Sequence, residues 1–157
     1  MTVQPPASRD RDEWQVWLWN QPKEVLSRPQ RVQLMQIMEV SYNNFDAFRV
    51  VGDLMAYRDL WRGVVMDRGF LMPDKIGKWS IAKLCSDLIK LRDVAGGHWN
   101  VDTLFVLTTE DKEAALKQVA AAWRADETGE IVGDEAGQLL GIMPVPDGYK
   151  VVTFWWD

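Results

Sequence analysis

The sequence predicts an α+β fold in which N-terminal helices pack with a small C-terminal mixed or antiparallel sheet. Helical periodicity dominates the chain up to Gly96-Gly97. Beyond it, Leu104-Phe105-Val106-Leu107 is apolar at consecutive positions, as a strand covered on both faces is. The final stretch, Tyr149–Trp156, is rich in β-branched and aromatic side chains. Helices segregated from strands imply a sheet layered on helices, with the order β-α-β-β-β after the helical part.

At 157 residues the chain is long enough for one domain with a core of its own. Residues 1–9, with Pro5-Pro6, read as a flexible tail. A single α+β domain is expected over 10–157, helical over 10–97 and sheet-containing over 98–157.

Glu13–Asn20, EWQVWLWN, fits both the helical and the strand period. Acidic Asp10, Asp12 and Glu13 before it and Pro22 after it favour a short helix. Ser27-Arg28-Pro29-Gln30 opens a second helix with a serine cap, an early proline and a reciprocal glutamine. Val32, Leu34, Met35, Ile37, Met38 and Val40 make that helix apolar around much of its circumference, as in a well-covered helix. Asn43-Asn44 is expected to break it and cap the next. A long helical pattern then runs from Phe45 to about Arg68 through Val50, Val51, Leu54, Trp61 and Val65. Asp46, Arg49 and Asp53 lie on it at ion-pair spacing, and Gly69 is placed to end it. Ile81, Leu84, Cys85 and Leu88 mark one further helical face.

The clearest local signal is Trp99–Arg124, a buried strand running into a helix. Thr108 and Thr109 offer capping hydroxyls. Glu110, Asp111 and Glu113 place negative charge at the positive end of the helix dipole. Leu116, Val119, Ala120 and Trp123 share one face. Next, Glu130–Val132 and Gln138–Ile142 flank a Gly-bounded acidic turn and read as a hairpin. Pro144–Gly148 is turn chemistry before the last strand.

Composition excludes several chemistries. One cysteine, Cys85, cannot form an internal disulfide, and nothing points to an oxidising compartment. The N-terminus lacks an apolar signal core and no run approaches the roughly 18 apolar residues of a membrane span, so a cytoplasmic location is expected. One histidine, His98, and one cysteine do not supply a zinc site. A Cys85–His98 nucleophile pair conflicts with the cysteine's place on an apolar helix face. Asp126–Gly137 resembles a calcium loop only superficially. Ile131 stands where glycine belongs and Gly137 where a bidentate glutamate belongs. Gly96-Gly97 precedes a strand, whereas phosphate-binding loops follow one. No cofactor and no metal site is predicted, and no catalytic residue is pointed to. The reading leans away from an enzyme.

Charge is the informative feature. Residues 1–98 hold 14 Lys and Arg against 12 Asp and Glu, a balance of +2, whereas residues 99–157 hold 4 against 11, a balance of −7; together they give the net −5. That asymmetry argues against a nucleic-acid ligand and for a basic protein partner. The candidate partner-binding residues are Asp126, Glu127, Glu130, Asp134 and Glu135, with Trp155, Trp156 and Asp157 at the end of the last strand. Alternation sends the two tryptophans to opposite faces, so one is exposed unless both faces are covered. A tryptophan beside carboxylates is interface composition.

The function expected is a small acidic binding module, immunity- or inhibitor-like in its size, its acidity and its missing catalytic signature. The alternative is an enzyme or small-ligand binder with a Trp- and Met-lined pocket between helices and sheet, edged by Tyr57, Arg58, Asp102 or His98. Nine tryptophans suit either a core or such a pocket. The oligomeric state is open.

Overall fold

The first regular element begins at Asp10, whose carboxylate accepts from the amides of Asp12 and Glu13 and caps α1, Arg11–Trp19. In this computed structural model, residues 4–67, 91–97 and 101–157 are described. Ser27 and Gln30 form the reciprocal capping box expected of them, and α2 spans Arg28–Met38. The helix is covered on one side only: Leu34, Ile37 and Met38 are buried, but Val32 is 43% exposed. α3, Ala47–Ala56, is capped by Asp46 rather than by the asparagines. Asn43 instead takes a positive φ of 38° in the turn, and its side-chain amide donates to the main-chain carbonyl of Asp157.

The long helix expected to reach Arg68 stops at Ala56. The indole of Trp61 donates to the Leu54 carbonyl at 2.8 Å, which satisfies one of the carbonyls a helix end leaves open. A 3₁₀ turn, Arg58–Leu60, follows. The chain then enters a strand, β1, Gly63–Asp67. The supposed stripe residue Val65 is 41% exposed, while Val64 and Met66 are buried. The period there is therefore that of a strand. The helix expected around Cys85 and the turn at Gly69 lie outside the described residues. A short helix, α4, covers Leu91–Gly96.

β2, Thr103–Thr109, leads directly into α5, Glu110–Ala120, which a 3₁₀ turn extends through Trp123. Thr109 stands at the N-cap without a capping side-chain bond. The Thr108 hydroxyl donates instead to the buried Leu60 carbonyl at 2.6 Å. The expected hairpin is absent. β3, Glu127–Ile131, is followed by a helix, α6, Gly133–Leu140, ended by Gly141 in the left-handed conformation. β4, Tyr149–Trp155, closes the order.

The fold is α+β. The four strands form one sheet ordered β1-β2-β4-β3, every neighbouring pair antiparallel. The sequence order β-α-β-β-β is thus replaced by β2-α5-β3-α6-β4, with β1 drawn from the supposed helix. Register puts Val64, Met66, Leu104, Val106, Val152 and Phe154 on one face. There they join Leu34, Ile37, Val50, Leu54, Leu116 and Trp123 in a single hydrophobic core. The opposite face of β2 is also covered, since Phe105 is only 8% exposed, as the apolar run of this strand requires. Trp14, Trp61, Trp123 and Trp156 are buried, whereas Trp19 is exposed. No described helix is long and apolar enough to cross a membrane.

Candidate functional site

Among the described residues β3 lies on the outer rim of the sheet, paired on one side only, to β4. Its side chains are exposed from Glu127 to Glu130. The position follows from local chemistry. Arg124 takes φ 59° after α5, the chain reverses, and the Asp126 amide donates to the Trp155 carbonyl at 2.8 Å. That bond starts the β3–β4 pairing. Gly129 sits opposite Thr153, whose hydroxyl oxygen would lie 2.8 Å from an added Cβ. A side chain there would force the Thr153 hydroxyl to move.

The candidate residues divide into three groups. Asp126, Glu127, Trp155 and Asp157 come together at one end of this rim. Glu127 is opposite Trp155 in the register, so the two share a face. The Asp157 amide donates to the Asp126 carboxylate at 2.9 Å. Trp155 is half-buried, which leaves part of its ring accessible beside the carboxylates.

Asp134 and Glu135 lie at the other end, in the first turn of α6. The five-residue strand between the two groups spans about 13 Å. Two candidates are taken up within the molecule. Trp156 is 0% exposed, and its indole donates to the Trp123 carbonyl. Its ring meets Phe45 edge to face. It belongs to the core and offers a partner nothing.

Glu130 is the second. It points to the helical face, where it binds Lys117 at 2.7 Å and Lys150 at 2.9 Å. Both lysines also reach Glu113, each at 2.5 Å. Two lysines and two glutamates close a neutral quartet that ties α5 to β3 and β4. Hydrogen bonds from Lys117 and then Lys150 hold the Glu130 carboxyl down at about 2. Hydrogen bonds to Glu113 and Glu130 push the Lys150 ammonium up. Sequence reading counted Glu130 with the acidic patch because its partners are 13 and 20 residues away.

Asp126, Glu127, Asp134 and Glu135 make no ion pair among the described residues. From Ala125 to Tyr149 the sequence holds six acids and no lysine or arginine. The rim is therefore a local source of negative potential. The calcium-loop resemblance disappears in the fold, since its residues are divided between a strand and a helix. Among the described residues no group of three or more His, Cys, Asp or Glu side chains could hold a metal.

Tyr57, Arg58 and Asp102 are the described residues expected to edge a pocket between helices and sheet. The Arg58 guanidinium donates to the Val25 and Trp61 carbonyls and stacks on the Trp61 ring at 4.0 Å, and Tyr57 is exposed. His98 and Cys85 lie outside the described residues. A cleft that the sequence did not signal lies elsewhere. About 500 Å³ in volume, it opens between residues 6–9, the start of α3 and the end of α5. Comparison with protein-family models, with curated proteins and with solved structures finds no match for this chain.

Proposed function

We propose that the protein is a binding module whose β3 rim receives an extended, basic segment of a partner protein, in an inhibitor-like manner. The observation that carries this reading is a sheet edge that no described strand pairs on its outer side, with exposed side chains and with carboxylates at both ends that make no ion pair among the described residues. An added strand would take the free main-chain groups of β3. Asp126 and Glu127 at one end, and Asp134 and Glu135 at the other, would fix its register through Lys or Arg side chains. Trp155 supplies an aromatic contact beside Glu127. The same carboxylates repel a second copy of this rim. Charged edges of this kind suppress self-association and select a cationic occupant over an acidic one.

The test uses two extended peptides, one alternating lysine with valine and one alternating glutamate with valine. Each is titrated into the full chain while backbone amide signals are followed by NMR. The basic peptide is expected to shift and protect the amides of 127–131, with affinity falling steeply as salt rises. Asp126→Lys together with Glu127→Lys should weaken it about tenfold or more. Equal binding of the acidic peptide, or an undisturbed β3 in the presence of the basic one, would sink the proposal.

A further inference from the structure

The cleft between the N-terminal segment, α3 and the end of α5 gathers Arg9, Arg49 and Arg124 from three separate parts of the chain. In a protein of net charge −5 this is a local excess of cation. Among the described residues the carboxylate on its wall is Asp46, and Asp53 stands behind it, bound to Arg49 and to the Trp123 indole. Burial raises the Asp46 carboxyl, but the Arg9 hydrogen bond and the amides of Arg49 and Phe48 outweigh that and hold it below its ordinary value. It therefore stays charged at neutral pH, and with Asp53 counted three guanidiniums face two carboxylates.

None of the three guanidiniums is used up. Arg9 gives Nη2 to Asp46 at 2.7 Å and lies over the Phe48 ring at 4.8 Å. Arg49 gives Nε to Asp53 at 2.9 Å. A guanidinium has five N–H donors, so both keep others. Arg124 makes no side-chain hydrogen bond or ion pair among the described residues. It also occupies the left-handed conformation, with φ 59°. Glycine enters that region freely and other L-residues do so at a cost. That conformation ends the 3₁₀ turn after α5 and leaves an unpaired guanidinium on the cleft lining.

The rest of the lining is Pro6, Ala7, Ser8, Asn44, Ala122 and Phe48, with the buried Trp14 and Trp123 behind it. Trp14 and Phe48 meet edge to face at 5.5 Å. The volume of about 500 Å³ is that of a small-molecule site. We infer that this cleft binds a phosphate monoester through its guanidiniums. The unpaired Arg124 supplies an uncompensated positive charge, and the N–H donors that Arg9 and Arg49 keep match the oxygens of a phosphate. This site is separate from the β3 rim and does not depend on the reading given to it.

The probes are phenyl phosphate and inorganic phosphate, titrated into the full chain by calorimetry and by NMR of the indole and guanidinium signals. Phenyl phosphate should saturate the protein at sub-millimolar concentration, compete with inorganic phosphate for one site, and shift the Arg124 signals. Arg124→Gly should weaken it by about tenfold or more without lowering the unfolding midpoint, because glycine relieves the strain at that position. Arg124→Lys should retain part of the affinity. Absence of saturation up to the order of 10 mM, or an affinity that Arg124→Gly leaves unchanged, would overturn the inference.

Discussion

Trp155 and Trp156 are chain neighbours with opposite surroundings. The strand alternation that separates them is legible in the sequence; which of the two enters the core is not. That choice depends on which face of β4 meets the helices, and the register with β2 and β3 fixes it. Trp156 ends among Phe45, Trp123 and the rest of the core, with its indole N–H satisfied. Trp155 lies on the other face beside Glu127 and Thr103. Trp156→Ala should therefore cost about 3–5 kcal/mol, as truncation of a buried tryptophan does. Trp155→Ala should cost clearly less. Denaturant unfolding of the two variants measures the difference, and equal losses would contradict the assignment of faces.

The elements that sequence reading recovered are those whose signals agree with one another. The capping box and apolar face of α2, the acid-capped α1, and the strand-to-helix passage from Thr103 to Ala120 all formed. β1 was hidden because Trp61 and Val65 continue the helical spacing of α3. The Trp61 indole instead terminates that helix from outside it, a contact no local pattern contains. α6 was hidden for the converse reason. Asp134 and Glu135 in its first turn and Gly141 at its end are helix signals, but its apolar runs are as short as those of a hairpin.

The acidic rim was legible as composition only. Losing Glu130 to the lysine quartet required knowing that α5 lies beside β3. The quartet itself can be tested by pH. The folded Glu130 carboxyl sits at about 2, below its ordinary 4.5. Its contribution is thus complete above pH 4.5 and disappears as pH falls from there through about 2. Lys150 is raised, so its contribution is complete below its ordinary 10.5 and declines as pH rises through the folded value. Denaturation of the native chain and of Glu130→Gln, compared from pH 6 to pH 2, should give a stability difference that closes across the acid window. A difference constant over that range would show that the quartet contributes no pH-dependent stability.

At the scale of the molecule, the charge boundary near Trp99 does not coincide with a boundary in packing. The core runs from Trp14 in α1 to Trp156 after β4 and takes residues from α2, α3, β1, β2 and α5 on the way. Bonds cross the same line. The Trp123 indole donates to Asp53 at 2.9 Å, Lys112 to the Asp59 carbonyl at 2.6 Å, and the Arg62 amide to the Leu107 carbonyl at 2.9 Å. None of these is an ion pair between a helical-half cation and the acids of the rim, so the rim keeps its charge while the halves share a core. A core shared in this way should unfold as a unit. The buried tryptophans serve as reporters on both sides of the charge boundary, Trp14 and Trp61 before it, Trp123 and Trp156 after it. Far-ultraviolet circular dichroism reads the helices, most of whose residues precede Gly97, and tryptophan fluorescence reads both halves. The two denaturation curves should superimpose with one midpoint. Were the sheet half able to open while the helices held, fluorescence would change first, and the charge asymmetry would then mark two separately stable parts of the chain.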